Sequence, residues 1–118
     1  MTAILIVDDN VPLAEDLAEI LADAGFVTET ASSGEAAIRR VLRGGIDVLL
    51  LDLRMPGMGG VETLIRMRDS GIRVPAIAMS GYADEATHAR GLEAGLRAVL
   101  DKPIDYDALE SLITQVAA

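Results

Sequence analysis

Residues Leu49–Glu62 read LLLDLRMPGMGGVE. An apolar run ends there on a carboxylate, and a proline- and glycine-rich turn leads into a segment with helical spacing. Val48–Leu51 is a continuous apolar stretch of strand length, which fits a strand buried on both faces. The same pattern recurs along the chain. Ala3–Val7 (AILIV) runs into Asp8 and Asp9, Pro75–Met79 runs into Ser80, and Lys102 lies just beyond Arg97–Leu100. Phe26–Thr30 reads as a further, weaker strand.

Helical segments fill the intervals. Leu13, Leu17, Ile20, Leu21 and Ala24 fall at helical spacing, with Asn10 and Pro12 as starting residues and Gly25 as the stop. Ser32 with Glu35 predicts a capping box for a helix over Ser33–Arg43, closed by Gly44-Gly45. Val61, Leu64, Ile65 and Met67 mark a third helix that ends before Gly71. The stretch from Asp84 to about Glu93 is a poor helix former, with Gly91 inside it and an apolar face made mostly of alanine. Leu109, Leu112, Ile113 and Val116 give the stripe of a last helix. Five strands alternating with five helices predict right-handed βαβ units and one parallel sheet covered on both faces.

Composition narrows the function. The 118 residues suffice for one domain spanning 1–118, and 51% apolar with 25% charged content is globular. There is no cysteine, so neither a disulfide framework nor a thiolate metal site is available. No apolar run is long enough to span a bilayer, and no basic leader precedes the first strand, so a soluble cytoplasmic domain is expected. The net charge of −9 disfavours direct binding to nucleic acid. Nine of the ten basic residues are arginine, and Lys102 is the only lysine.

In an open parallel sheet the carboxyl ends of the strands lie along one edge, where such folds bind ligands. Asp8, Asp9, Asp52, Ser80 and Lys102 would therefore meet in one small volume. Two carboxylates about 4 Å apart repel by roughly 4 kcal/mol at an effective dielectric near 20. Either protons or a cation must relieve that repulsion. An all-oxygen site with few protein ligands suits Mg²⁺ and leaves room for a phosphoryl group. Lys102 and the Ser80 hydroxyl could each contact a phosphoryl oxygen, and Asp52 could act as nucleophile to form an acyl phosphate.

Taken together, ILIVDDN (Ile4–Asn10), LLLDLRMPGMGGVE, IAMSGY (Ile77–Tyr82), GLEAG (Gly91–Gly95) and VLDKP (Val99–Pro103) resemble a two-component response regulator receiver domain from end to end. The resemblance implies a flavodoxin-like doubly wound sheet of order 2-1-3-4-5. It implies phosphoryl transfer from a phosphohistidine, on a histidine kinase or a histidine phosphotransfer protein, to Asp52. Asp9 and Asp52 would hold Mg²⁺ (or Mn²⁺) with the backbone carbonyl of Arg54, and Asp8 would act through a metal-bound water. Ser80 and Lys102 would contact the phosphoryl group, and Lys102-Pro103 would be cis. The module would catalyse its own phosphorylation and dephosphorylation without being a turnover enzyme.

The chain departs from the family pattern in places. The inward-swinging aromatic expected three residues before the lysine is Val99, and Tyr82 is a nearby aromatic. Gly59 stands where Asp or Asn is common, and Arg54 and Tyr82 occupy the two variable flanking positions. The expected partner face is the fourth helix, fifth strand and fifth helix, which could also serve a homodimer. With no output segment before Ala118, the sequence fits either a stand-alone regulator or a piece of a hybrid histidine kinase or multidomain regulator. Two other classes are weaker. An aspartyl phosphatase would place its nucleophile after the first strand with a second acid two residues on, and a flavin scaffold would need a Ser/Thr-rich loop after that strand. His88 reads as a solvated helix residue, and Arg39, Arg40 and Arg43 as a solvated helix face.

Overall fold

A computed structural model describes residues 1–81 and 84–118. Along the chain run β1 (Ala3–Val7), α1 (Val11–Asp23), β2 (Val27–Ala31), α2 (Gly34–Leu42), β3 (Val48–Asp52), α3 (Gly60–Asp69), β4 (Ala76–Ser80), α4 (Glu85–Ala94), β5 (Ala98–Asp101) and α5 (Tyr106–Ala117). The five strands are all parallel and stand in the order β2-β1-β3-β4-β5, as expected.

The two apolar runs read as doubly buried strands are the centre of the sheet. Ile4–Val7 and Val48–Leu51 are each wholly inaccessible to solvent, because helices cover both faces. Side chains alternate along a strand, so each strand feeds two cores. Leu5, Val7, Leu49, Leu51, Ala76 and Ala78 pack with Ala37, Val41, Leu64 and Met67 from α2 and α3. Ile4, Ile6, Val48, Leu50, Ile77 and Met79 pack with Leu17, Leu21, Leu109 and Ile113 from α1 and α5.

The strand boundaries are shifted from those read in the sequence. β3 includes Asp52, β4 includes Ser80 and β5 includes Asp101. The apolar reading stopped where polarity began, yet the backbone ladder continues, pairing Asp52 with Met79 and Ser80 with Asp101. Asp52 and Ser80 are thus the last residues of strands rather than the first residues of loops.

The helix starts are partly as expected. The Asn10 side chain caps α1 by accepting from the Leu13 N–H at 3.2 Å. The cap of α2 is Ser33, not Ser32: its Oγ accepts from the Ala36 N–H at 3.1 Å. Glu35 then falls at the second helical position, one short of a capping-box partner. Leu13 is 41% exposed, and Ala14 takes its place in the core with Leu17 and Leu21.

Gly60 and Gly91 are among the glycines that allow close approaches the sequence reading missed. A Cβ on Gly60, the first residue of α3, would lie 2.5 Å from the Asp52 carbonyl oxygen. Only glycine lets α3 start directly beneath the end of β3. A Cβ on Gly91 would lie 2.5 Å from Leu96 Cδ1. Gly91, read as a weak point of α4, is instead the buried residue on which α4 rests against Leu96.

Candidate phosphoacceptor site

Strand register brings the acidic residues together. Val7 pairs with Leu51, so the next residues, Asp8 and Asp52, stand side by side at the carboxyl edge. The ladder extends past β1 through the Asp8 N–H, which donates to the Ala31 carbonyl at 3.0 Å. Beyond β5, the Lys102 N–H likewise donates to the Ser80 carbonyl at 2.8 Å. Asp8, Asp52 and Lys102 share the alternation of Ile6, Leu50 and Leu100, which places them on the α1/α5 side of the sheet. Ser80 has the opposite parity and is wholly buried.

The resulting geometry is tight. Lys102 Nζ lies 3.6 Å from Asp8 Oδ2 and 3.9 Å from Asp52 Oδ2. One carboxylate oxygen from each of Asp8, Asp9 and Asp52 lies within 4.8 Å of the others. Asp8 and Asp52 are buried and Asp9 is exposed, so the cluster opens to solvent on the Asp9 side. The Lys102-Pro103 peptide is cis, as the resemblance implied.

Backbone donors fix the two buried carboxylates. The Asn10 N–H donates to Asp8 Oδ1 at 2.9 Å, and the Arg54 N–H donates to Asp52 Oδ1 at 3.1 Å. Each is a turn in which an aspartate binds the main chain two residues on. Sequence reading used Asn10 only as a helix start and missed its main-chain role. The signal was present, since aspartate followed by a helix cap two residues later favours this turn.

The electrostatics follow from burial. The Asp52 carboxyl is pushed above its ordinary value, first by desolvation and then by the neighbouring Asp8 charge. The Arg54 N–H and the Lys102 ammonium pull it back only in part. Three carboxylates face one ammonium, so the pocket carries excess negative charge. A hard divalent cation fits this all-oxygen donor set.

Other expected residues are placed as follows. Val99 is partly buried, packed against the core that holds Met55 and Val61. Tyr82 lies outside the described residues. Gly59 is the N-cap of α3 and supplies no side-chain cap, and its carbonyl accepts from the Thr63 hydroxyl at 2.8 Å. His88 is exposed on α4. Arg40 departs from the solvated-face reading: it forms a two-pronged pair with Glu29 at 2.7 and 2.8 Å and donates to the Gly44 carbonyl at 2.8 Å.

Two grooves flank the site. One, of about 690 Å³, lies between α1 and the segment after β5 and includes Leu13, Leu17, Ile20, Lys102, Ile104 and Tyr106. The other, of about 580 Å³, lies between the β3–α3 loop and α4 and includes Arg54, Met55, Glu62, Asp84, Thr87 and Arg90.

A parallel 2-1-3-4-5 sheet with an acidic cluster and a lysine at its carboxyl edge defines a phosphoacceptor signalling module. The chain belongs to the response regulator receiver domain family, matching it over residues 4–114. It is 37% identical over 118 residues to the sensory transduction protein RegX3 of Mycobacterium tuberculosis, covering all of this chain and 50% of that protein. The solved structure of FixJ-N superposes with a TM-score of 0.92 at 31% identity, covering 99% of this chain and 94% of that one. The response regulator TrrA of Thermotoga maritima, solved in complex with Mg(2+)-BeF, superposes with a TM-score of 0.87 at 28% identity, covering 98% of this chain and 99% of that one. The chain spans between 12% and 50% of the length of the curated relatives it matches. Among the described residues, no helix is long and apolar enough to cross a membrane.

Proposed function

We propose that residues 1–118 act in the cytoplasm as one phosphoacceptor unit, in which Asp52 takes a phosphoryl group from a phosphohistidine on a histidine kinase or histidine phosphotransfer protein. The observation that carries this reading is the Lys102 ammonium, within 4 Å of both Asp8 and Asp52. An Asp52 oxygen attacks phosphorus, and the P–O bond forms as the P–N bond breaks. The electron pair leaves with the imidazole nitrogen, which takes up a proton. The product is an acyl phosphate on Asp52.

The side chains divide the work. The Arg54 N–H holds Asp52 Oδ1, which leaves Oδ2, the oxygen nearer Lys102, to react. Lys102 pairs with a phosphoryl oxygen as a point charge, and the Ser80 hydroxyl donates to another. Asp9 and Asp52, with the Arg54 carbonyl, would hold Mg²⁺ or Mn²⁺, and Asp8 would reach it through water. When bound, the cation supplies positive charge against the phosphoryl oxygens. The module runs its own phosphorylation and dephosphorylation, and the α4–β5–α5 face serves partners or a homodimer.

Beryllofluoride, a phosphoryl mimic, tests the assignment. With Mg²⁺ it should bind the wild-type protein and shift amide resonances near Asp52, and Asp52→Asn should abolish the effect. No binding by the wild type, or equal binding by Asp52→Asn, overturns the proposal.

A further inference from the structure

A second concentration of like charge lies at the opposite edge of the sheet from Asp52, and its sign is reversed. Arg68 stands in the last turn of α3, Arg73 in the turn before β4 and Arg97 just before β5. Arg68 donates to the Ile72 and Val74 carbonyls at 2.9 Å each. Arg73 donates to the Arg68 carbonyl at 2.9 Å and to the same Ile72 carbonyl at 3.2 Å. One oxygen thus holds two guanidinium groups side by side. The Arg97 N–H donates to the Ala76 carbonyl at 2.8 Å, two residues from the Val74 carbonyl that Arg68 holds, so the third arginine is rooted at the same edge.

Carbonyls at a helix C-terminus favour cations, but they carry no net charge. None of the three arginines forms an ion pair among the described residues. Arg68 is partly buried, and burial, then the Arg73 and Arg97 charges, pull its guanidinium below its ordinary value. Arg73 and Arg97 are exposed. The surface therefore holds uncancelled positive charge in a chain of net charge −9. The phosphoacceptor carboxylates stand about 16 Å away, the length of a strand such as β4, and physiological salt screens charge over about 8 Å.

The chain itself carries the complement. Glu15, Asp16, Glu19 and Asp23 are exposed on α1, which has no basic residue. At 3.6 residues per turn they form one stripe, opposite the buried Ala14, Leu17 and Leu21. Helices α1 and α3 pack on opposite faces of the sheet, so one molecule cannot bring its own stripe and arginines together. We infer that Arg68, Arg73 and Arg97 form a docking surface for the acidic α1 stripe of a second copy of this chain. Guanidinium pairs with carboxylates through charge-assisted, two-pronged hydrogen bonds. The contact joins two different faces, so it adds copies head to tail. Asp16, Glu19 and Asp23 also line the groove that holds Lys102, and a docked copy lies over that groove.

Sedimentation velocity of the whole chain, up to millimolar concentration, tests this. At about 0.1 M salt the wild type should self-associate, and at about 1 M, where screening acts within about 3 Å, it should sediment as a monomer. Arg73→Glu with Arg97→Glu should weaken association about tenfold, the scale of two exposed ion pairs, and so should Glu19→Arg with Asp23→Arg. Arg97→Glu alone, on an exposed side chain, should act in the same direction. An equimolar mixture of the two double variants should associate again, because an acidic edge then meets a basic α1. Arg39→Glu with Arg43→Glu, on exposed positions of the α2 segment, changes net charge equally and should leave association intact. A wild type that stays monomeric at about 0.1 M salt, a mixture that does not associate, or an equal loss in the α2 variant overturns the inference.

Discussion

Strands β1 and β3 exclude solvent from every residue between Ile4 and Val7 and between Val48 and Leu51, whereas β5 has no fully buried residue and α4 has only Gly91. The first region holds Asp8, Asp9 and Asp52, and the second faces them across β4. The Asp52 carboxylate thus sits at the end of a wholly buried part of the sheet, and β5 and α4 are more exposed. A phosphoryl group needs fixed ligands, and a switch needs an element whose packing can change for a few kcal/mol. The unequal packing meets both needs in one small domain.

Core truncation should expose that inequality most strongly. Leu50→Ala empties a site enclosed by α1 and α5, and it should cost about 3–4 kcal/mol of unfolding free energy in urea titration. Val99→Ala, on partly exposed β5, should cost about 1 kcal/mol. Equal losses would break the comparison, because β5 would then be as firmly packed as β3.

Gly60 and Gly91 sharpen it further. Gly60→Ala drives a methyl into the Asp52 carbonyl, which is backbone and cannot turn aside. It should cost about 2 kcal/mol or more and weaken beryllofluoride binding. Gly91→Ala meets only the tip of Leu96, which can rotate, and alanine gains about 1 kcal/mol in helix propensity. The net change should fall within about 0.5 kcal/mol. A loss at Gly91 as large as that at Gly60 would show that α4 is clamped rather than loosely seated.

The same contrast explains what could be read from the sequence. AILIV and VLLL are legible because a doubly buried strand has no polar face to disguise it. AILIV matches β1 to the residue, whereas β3 and β4 each run one residue past their apolar stretch because Asp52 and Ser80 still pair in the sheet. The convergence at the edge was legible because strand order alone brings Asp8, Asp52 and Lys102 together. The Arg40–Glu29 pair was not, since its partners come from a helix and an adjacent strand and each looks like an ordinary surface charge. The Ser33 cap was displaced by one residue because Ser32 and Ser33 are both competent caps, and only backbone geometry chooses between them. Gly60 and Gly91 were opaque for a similar reason: what a missing Cβ avoids lies elsewhere in the chain.

One further expected effect has a sign that separates the two regions. The folded protein raises the proton affinity of Asp52, so this residue's stability contribution is complete below the ordinary value of 3.8 and is lost as pH rises through the raised value. Above that raised value, and without divalent cations, the ionised Asp52 is therefore a liability. Asp52→Asn should raise the melting temperature by about 2–5 °C there, and the gain should vanish as the wild type protonates in acid. Asp84 has the opposite linkage. Its folded value is depressed, so its contribution is present above 3.8 and is lost as pH falls through the depressed value. Asp84→Asn should accordingly lower the neutral-pH melting temperature slightly, with the difference closing in acid. Thermal scans of both variants across pH decide the matter: shifts of the same sign would mean that charge strain is not concentrated at the β1–β3 edge. Opposite signs would show a site strained by its own carboxylates beside a helix whose cap is stabilised by ionisation.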